Sequence, residues 1–388
     1  MRSVPLSVGV PREIKSNEKR VGLTPEGVRV LQKEGVPVFL ETGAGKGSGF
    51  PDWDYETAGA VILRTAREIY QQSEIIKKVK EPLPPKWDFL KEGRILFCFL
   101  HLDSPENREL LEVLLEKKVI GLGYETALKD GRTIFLEPMS EIAGILAALL
   151  AGFFVSFLKK GSVDLPPRFL EKLEGLAGTL PELPENLRPG KVLVFGGGTV
   201  GRKAAQTALK MGGEVDLIEK RPERRKELRL EFKNGGERFR VWGIEDDYAT
   251  ALKQTEVWVG AVHVVGKRAP LVISKRELEE LSKGKKKLII DIAVDQGGNF
   301  PETRPTTYEE PLYLDSFGNW RFAVANVPSL AGRWASEAIE KATLPYLVRL
   351  AKEGKNALRN LPELGTALQV FEGKLVNEAI DRDGSSHA

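Results

Sequence analysis

Short apolar runs rich in β-branched residues alternate with amphipathic stretches along almost the whole chain. The first series predicts strands at residues 6–10, 36–40, 75–79, 95–99 and 118–122, and a second series predicts strands at 191–195, 214–218, 238–242, 256–260 and 287–292. Helical patterns separate these strands; one covers residues 25–34, with Thr24 as its N-cap and Pro25 at its first position. This alternation is typical of parallel sheets with helices on both faces. The expected fold class is therefore α/β, with two doubly wound domains.

Three further segments complete the pattern. Residues 142–158 (IAGILAALLAGFFVSFL) carry no charge and lie at the lower limit of membrane-spanning length. A helix buried inside the protein has the same all-round apolar character, and without a second span we favour it over a membrane helix. Residues 164–190 contain five prolines, which favours a loop or short helical pieces. Residues 333–353 form one amphipathic helical pattern, and the final DRDGSSHA is expected to be frayed.

Composition narrows the classes of function. The chain has 388 residues, 41% of them hydrophobic and 29% charged, and a net charge of +3, which gives no basic footprint for nucleic acid. A single cysteine, Cys98, excludes an internal disulfide framework and fits a reducing cytosol, and no secretory signal opens the sequence. With three histidines and one cysteine we expect no metal site. Composition therefore favours a cytoplasmic protein.

A glycine-rich turn follows the strand at 191–195. In VLVFGGGTVGRKAA, Gly196, Gly198 and Gly201 form a GxGxxG motif, and Thr199 and Val200 lie between its last two glycines. The first glycine allows the tight turn, the second lets a pyrophosphate approach the backbone, and the third lets the helix pack on the strand. Glu219 ends the next strand, where a carboxylate can bind ribose hydroxyls. Together these features predict a Rossmann-like site for NAD rather than a purely structural turn.

Four polar residues stand beside predicted strands or helices, where side chains can reach a ligand. Arg20 precedes the N-cap of the first helix, Lys80 and His101 follow the strands at 75–79 and 95–99, and Asp295 follows the strand at 287–292. In an open parallel sheet, ligands bind at the carboxyl ends of the strands. Each residue alone has an ordinary explanation: Arg20 as a solvated surface arginine and the others as common loop residues.

Together with longer motifs, these residues resemble the alanine dehydrogenase family, which is related to the nucleotide-binding part of proton-translocating transhydrogenase. The motifs run over nearly the whole chain and include VGVPREIKSNEKRVGLTPEGV, KVKEPLP, ILFCFLHL, YETALKDG, PMSEIAG, GGGTVG, DIAVDQGG, RPTTY and ANVP. The transhydrogenase relatives keep the arginine but lack the lysine, histidine and aspartate, which favours the dehydrogenase branch. The resemblance implies that Arg20 binds substrate, that Lys80 binds and polarises it, and that His101 and Asp295 are catalytic.

The resemblance also implies an organisation and a reaction. Residues 1–139 and 327–388 would form the substrate domain and 140–326 the NAD-binding domain, with a closing cleft between them. Ser140, Val324 and Asn326 would join the glycine turn in binding NAD. The expected reaction is the reversible NAD-dependent oxidative deamination of L-alanine to pyruvate and ammonia, in a homo-oligomer that is typically hexameric. Arg20 would grip the carboxylate with its planar fork, and His101 would transfer protons near neutral pH.

Some positions depart from the family pattern, and two alternatives stay open. The Gly-rich loop expected near 164–190 is absent, and His263, Val265, Val327 and Lys341 replace the residues usual at their positions. One alternative is a related amino-acid or saccharopine-type dehydrogenase that acts on a different 2-oxo acid. The other is a catalytically silent NAD-binding subunit that docks to a partner. We expect neither a nucleic acid nor a membrane as a partner of this protein.

Overall fold

A computed structural model describes residues 4–158, 175, 177, 187–264, 268–378 and 380 of the chain. The chain divides into two compact units: unit 1 comprises Met1–Met139 and Ala331–Ala388, and unit 2 comprises Ser140–Leu330. Most of the proline-containing segment 164–190 (all but 175, 177 and 187–190), Val265 and the terminal DRDGSSHA lie outside the described residues. Each unit contains its own large β-sheet, with strands and helices alternating along the sequence. The prediction of an α/β fold with parallel sheets flanked by helices is confirmed.

The first part of unit 1 contains eight strands and four helices. The strands are β1 (Val8–Val10), β2 (Val38–Glu41), β3 (Val61–Leu63), β4 (Ile75–Lys77), β5 (Ile95–Cys98), β6 (Ile120–Gly123), β7 (Leu128–Lys129) and β8 (Arg132–Thr133). The helices are α1 (Pro25–Lys33), α2 (Asp52–Ala58), α3 (Ala66–Gln72) and α4 (Arg108–Glu116). As predicted, Thr24 caps α1, since its side chain accepts a hydrogen bond from the Gly27 N–H.

Helix α5 (Glu137–Leu158) contains the apolar segment, and the division between the units falls within it. It begins five residues before the predicted start at Ile142. In the described part of the chain it is the one helix long and apolar enough to cross a membrane, yet 72% of its apolar window is buried inside the protein. This burial favours the interpretation as a core helix.

Unit 2 continues with seven strands and four helices among its described residues. The strands are β9 (Lys191–Phe195), β10 (Glu214–Ile218), β11 (Phe239–Trp242), β12 (Val257–Gly260), β13 (Leu288–Asp291), β14 (Leu312–Leu314) and β15 (Trp320–Phe322). The helices are α6 (Thr199–Lys210), α7 (Pro222–Glu231), α8 (Ala249–Gln254) and α9 (Lys275–Ser282). Strands β9 and β10 have the predicted bounds, and β11, β12 and β13 each begin one residue later than predicted.

The chain then returns to unit 1 with three helices and two strands. These elements are α10 (Gly332–Glu353), α11 (Asn356–Asn360), α12 (Pro362–Ala367), β16 (Leu368–Phe371) and β17 (Lys374–Leu375). Helix α10 packs beside α1: the Ser336 hydroxyl accepts a hydrogen bond from the Val21 N–H at 2.9 Å, and Glu340 accepts one from the Thr24 hydroxyl at 2.7 Å. The C-terminal residues therefore complete the domain that the N-terminal residues begin.

Both large sheets follow the same doubly wound order. In unit 1 the order is β17-β16-β6-β5-β4-β1-β2-β3, and in unit 2 it is β11-β10-β9-β12-β13-β15-β14. Strands β1 to β6 run parallel, as do β9 to β13 with β15, whereas β14, β16 and β17 are antiparallel to their neighbours. The direction of winding reverses between β1 and β4 and between β9 and β12. Loops diverge at such points and leave a crevice outside the strand ends.

Candidate active site

In unit 1, three of the four sequence-predicted residues follow strands at the point where the winding reverses. Arg20 lies in the long segment after β1, Lys80 lies just after β4, and His101 lies just after β5. The three strands are neighbours and parallel, so their carboxyl ends lie at one edge of the sheet.

Arg20 is not the solvated surface arginine that its polar surroundings in the sequence suggest. Its side chain is 2% exposed and forms an ion pair with the fully buried Glu18. Its Nε donates to Glu18 Oε1 at 2.7 Å, and its Nη1 lies 3.2 Å from the thioether sulfur of Met139. Glu18 thus compensates the buried charge and fixes the plane of the guanidinium.

Lys80 and His101 are in direct contact. Lys80 Nζ lies 3.3 Å from His101 Nε2. Burial lowers the pKa of His101 well below its usual range, and the positive charges of Lys80, Lys15 and Arg20 lower it further. The imidazole is therefore neutral at pH 7, so Nε2 can accept a hydrogen bond from the lysine ammonium. Lys80, Lys15 and Arg20 form a positively charged environment suited to a carboxylate ligand.

Lys15 is a site residue that the sequence interpretation missed. It influences the pKa of His101 and forms an ion pair with the buried Glu81 at 2.6 Å. The polar segment that carries Arg20 also carries Lys15, but nothing in the spacing distinguishes this lysine from the neighbouring Lys19. The return of this segment onto the strand ends brings Lys15 close to His101.

The backbone at His101 has a left-handed conformation, with φ = 47°. For a residue other than glycine, such a conformation costs on the order of 1–3 kcal/mol and persists when the surroundings determine it. The His101 N–H donates to Glu125 Oε1 at 2.8 Å, and the Asn107 amide donates to the His101 carbonyl at 3.1 Å. The imidazole also stacks on Phe99, with ring centroids 5.5 Å apart. The sequence motif alone did not identify Glu125 and Asn107 as supports of this turn.

In unit 2, the three glycines of the GxGxxG turn have three distinct roles. Gly196 has φ = 96°, a conformation that side chains rarely adopt. A Cβ on Gly201 would lie 1.9 Å from the Gly196 carbonyl oxygen, so helix α6 approaches the strand too closely for any other residue. A Cβ on Gly198 would meet no atom within 4 Å, and no side chain caps helix α6, which begins with Thr199 and Val200. This open helix N-terminus fits the pyrophosphate of a dinucleotide.

Glu219 lies beside this turn. Its Oε2 accepts a hydrogen bond from the Gly197 N–H at 2.9 Å, and both carboxylate oxygens accept from the Arg221 guanidinium at 2.9 and 3.0 Å. Burial alone would raise the pKa of Glu219, but the hydrogen bonds from Arg221 and Gly197 lower it overall. Glu219 is therefore an ionised acceptor at the end of β10, as a ribose-binding carboxylate must be.

Asp295 and Asn326 are neighbours in unit 2. Strand β13 ends at Asp291, so Asp295 lies one short 3₁₀ turn (Val294–Gln296) beyond the strand rather than directly at its end. Asp295 is exposed, and the Asn326 N–H lies 3.4 Å from its Oδ2. The buried Asp291 orders this loop, because it accepts hydrogen bonds from the Asn299 N–H at 2.8 Å and the Thr303 hydroxyl at 2.7 Å.

Two further residues were predicted to bind the cofactor. Ser140 is half-buried on α5, and Val324 is buried in a β-bridge with Thr306. Among the positions that depart from the family pattern, His263 and Lys341 are exposed and Val327 is buried. Within the described residues, no group of three or more His, Cys, Asp or Glu side chains is arranged to hold a metal ion.

Comparison with known proteins places this arrangement in a family. The chain matches the model "Alanine dehydrogenase/PNT, N-terminal domain" over residues 9–143 and "Alanine dehydrogenase/PNT, C-terminal domain" over residues 164–378. It is 38% identical to the alanine dehydrogenase of Methanococcus maripaludis over 376 residues, which cover 96% of this chain and 95% of that protein. It is 36% identical to alanine dehydrogenase 2 of Staphylococcus aureus over 382 residues, which cover 97% and 95%.

Comparison with solved structures supports the same family. An L-alanine dehydrogenase superposes with a TM-score of 0.84 at 35% identity, covering 99% of this chain and all of that one. A transhydrogenase from Sinorhizobium meliloti has a TM-score of 0.74 at 22% identity, covering 95% and 99%, and shares the fold. With its two doubly wound units, the protein is an enzyme of the amino-acid dehydrogenase class. The chain belongs to the alanine dehydrogenase/PNT family.

Proposed function

We propose that the protein catalyses the reversible reaction of L-alanine, NAD⁺ and water to pyruvate, ammonium, NADH and a proton. One observation carries this proposal: a neutral histidine touches a lysine beside a buried arginine. A 2-oxo acid presents a carboxylate and a carbonyl, which need a cation and a proton-transfer group respectively. The names of the matched relatives favour alanine and pyruvate as the pair.

In this proposal, unit 1 binds the substrate. Arg20 grips the carboxylate with its planar guanidinium, whose Nη1 lies 3.2 Å from the thioether sulfur of Met139, a weaker acceptor than a carboxylate oxygen. Lys80 donates to the carbonyl oxygen and stabilises the negative charge that develops on it. His101 removes a proton during deamination and returns it during amination; its lowered pKa leaves it in the base form at neutral pH.

Unit 2 binds the dinucleotide. A family with this fold implies a nicotinamide cofactor, whose ring accepts the hydride from the amino acid and returns it in the reverse reaction. Gly196, Gly198 and Gly201 shape the site for its pyrophosphate, with the N–H groups of Thr199 and Val200 at the start of α6. Asp295 positions ammonia or water, and Ser140, Val324 and Asn326 complete the cofactor site.

Glu219 favours NAD over NADP. An ionised carboxylate accepts hydrogen bonds from ribose hydroxyls and repels a 2′-phosphate. Arg221 now pairs with this carboxylate and, with the exposed Lys220, is the group that could accept a phosphate instead. We expect a higher kcat/KM with NADH than with NADPH. A preference for NADPH would reject the role of Glu219 and assign the 2′-phosphate to Arg221.

The deciding assay follows NADH oxidation with ammonium and a panel of 2-oxo acids: pyruvate, 2-oxobutyrate, glyoxylate and 2-oxoglutarate. We expect pyruvate to be the best substrate. Activity on a larger oxo acid with none on pyruvate would identify a related dehydrogenase of different specificity. No turnover with any of them, together with NADH binding, would identify a silent nucleotide-binding subunit.

The domain roles and the assembly belong to the same proposal. Residues 1–139 with 327–388 would be the substrate domain and residues 140–326 the NAD-binding domain. We further propose a cytoplasmic homohexamer, as is typical of the family. Light scattering combined with gel filtration measures the mass of the assembly, and any mass other than six chains would reject the hexamer.

A further inference from the structure

Side chains form hydrogen bonds with both the N–H groups and the carbonyl groups of the turn at Leu100 and His101. Glu125 accepts hydrogen bonds from the Leu100 N–H at 3.2 Å and the His101 N–H at 2.8 Å. On the other side, the Asn107 amide donates to the carbonyls of Leu100 and His101, each at 3.1 Å. The two N–H groups and the Leu100 carbonyl thus bond to side chains rather than to the neighbouring strand, while the His101 carbonyl also accepts a hydrogen bond from the Ser104 N–H at 3.0 Å.

Burial raises the pKa of Glu125, while the hydrogen bonds that its carboxylate accepts oppose this rise. Besides the two backbone N–H groups, the Gln369 side-chain amide donates to Glu125 Oε1 at 2.8 Å. These three partners are all donors, and a carboxylate can accept from all of them. Gln369 lies on β16, which pairs with β6, so the C-terminal part of unit 1 also supports the turn.

The direction of the His101 side chain depends on this turn. With φ at 47°, the Cα–Cβ bond leaves the backbone at an angle that an extended strand end would not provide. The ring then lies parallel to Phe99, at 7° between the planes, and its Nε2 lies 3.3 Å from Lys80 Nζ. If the turn relaxed to an ordinary conformation, the imidazole would leave both neighbours.

We propose that Glu125 and Asn107 are positioning residues that hold the His101 backbone in its left-handed conformation and thereby aim the imidazole at Lys80 and the substrate carbonyl. This inference rests on the proposed catalytic role of His101. Neither residue needs to touch the substrate. Their effect is on the rate of proton transfer, because misplacement of a catalytic group by about 1 Å can lower a rate by about 10²-fold.

The experiment compares Glu125→Ala, Glu125→Gln and Asn107→Ala with His101→Ala and wild type in the pyruvate, ammonium and NADH assay. We expect Glu125→Ala and Asn107→Ala to lower kcat, by up to about 10²-fold, while KM for pyruvate stays close to the wild-type value, because Arg20 is untouched. Glu125→Gln should recover part of the activity, since its amide oxygen can accept from both His101 and Gln369 whereas its amide nitrogen cannot accept from the Leu100 N–H. Glu68→Ala is the matched control: this carboxylate also accepts a backbone N–H, from Thr65 at 2.8 Å, but lies on α3.

A second readout follows the ring of His101 directly. The chain has three histidines, so ¹³C-labelled histidine gives few NMR signals, and His101→Ala assigns the one that matters. Asn107→Ala changes no charge, and release of the ring from burial and from Lys80 should raise the pKa of His101 towards its ordinary value. A merely structural role would lower the thermal midpoint without moving this titration. Because this titration uses Asn107→Ala, it can still be made if Glu125→Ala does not fold.

The outcomes separate this inference from the proposed function. If His101→Ala loses activity while Glu125→Ala and Asn107→Ala keep the wild-type kcat and histidine titration, the positioning role is wrong and the catalytic role stands. If Glu125→Gln is as impaired as Glu125→Ala, the amide-acceptor argument fails. If His101→Ala turns over like wild type, or wild type does not turn over, the proposed function fails and the positioning role fails with it.

Discussion

The two large sheets have the same strand order, but their carboxyl edges carry different kinds of binding groups. In unit 1 the edge carries Arg20, Lys80 and His101, which are half-buried or buried. The backbone of His101 has a left-handed conformation. In unit 2 the edge carries glycines, and the open N-terminus of α6 provides the polar groups. A doubly wound sheet therefore provides the crevice, and the loops decide whether side chains or backbone groups bind there.

The two edges also require different support from the rest of the protein. The charges of unit 1 need buried partners: Glu18 for Arg20, Glu81 for Lys15, and Glu13 for Lys78 at 2.6 Å. Removal of one member of such a pair leaves an uncompensated charge, which is strongly destabilising. The glycine turn needs no charge compensation, only the absence of side chains. Variants in unit 1 should therefore affect chemistry and stability, whereas variants in the turn should affect packing and cofactor affinity.

The largest effect should come from His101→Ala. Loss of a general acid–base group typically lowers a rate by about 10²–10⁴-fold. NADH affinity should hardly change, because the glycine turn lies in the other unit. Stopped-assay rates and NADH fluorescence titration measure the two quantities. Turnover within a few-fold of wild type would contradict the catalytic role, and a parallel loss of NADH binding would contradict the separation of the two edges.

The glycine turn can be tested with a matched pair of substitutions. Gly201→Ala places a methyl group 1.9 Å from the Gly196 carbonyl oxygen, so we expect a loss of stability of about 1–3 kcal/mol or more, as overpacking usually costs. Gly198→Ala meets no atom within 4 Å and should fold with a nearly unchanged thermal midpoint, yet bind NADH more weakly. If Gly198→Ala binds NADH like wild type, the pyrophosphate does not approach at this glycine.

A buried lysine in unit 1 provides a test of charge burial. Lys77 is fully buried, donates to the Tyr124 hydroxyl and to Thr343 at 2.6 Å, and burial lowers its pKa to about 7. Between this value and its ordinary pKa the unfolded chain binds more protons, so the stability of wild type should rise with pH from about 7 to about 10. Lys77→Met removes this dependence.

Lys77→Met should therefore increase the free energy of unfolding most at pH 7 and below, and the gain should disappear near pH 10. Both hydroxyl partners keep other acceptors for their protons, Phe97 O for Tyr124 and Ile339 O for Thr343. Urea unfolding at several pH values measures the effect, with the exposed Lys91→Met as control. A destabilised Lys77→Met at pH 6 would show that the ammonium's contacts outweigh its desolvation.

The smallest effect concerns the contact between Lys80 and His101. Lys80→Met removes a positive charge beside the ring, so the pKa of His101 should rise. It should stay below its ordinary value of about 6.5, because burial, the larger cause, remains. Histidine NMR titration gives the value, again with Lys91→Met as control. An unchanged pKa would mean that the two side chains do not interact in solution.

The pattern of the sequence predicted the strands at the centre of each large sheet but missed the strands towards the sheet ends. The missed strands are β3, β7, β8, β14, β15, β16 and β17, each two to four residues long. Such short strands contain too few residues for a period to emerge, and they form because a neighbouring strand offers hydrogen-bond partners. The pairing of β16 with β6 joins residues about 250 positions apart, which local patterns cannot encode.

By itself, the sequence determined the fold class, the glycine turn with Glu219, the cap of α1, and the identities of Arg20, Lys80, His101 and Asp295 as candidates. These features depend on local order along the chain, such as the spacing of glycines or the alternation of apolar residues. Tertiary structure alone decided that Arg20 is buried against Glu18, that Lys15 approaches His101, and that Glu125 and Asn107 hold its turn. Burial, charge and backbone strain at these residues arise from segments that meet only after the sheet has formed, because desolvation and hydrogen bonding depend on neighbours in space rather than in sequence.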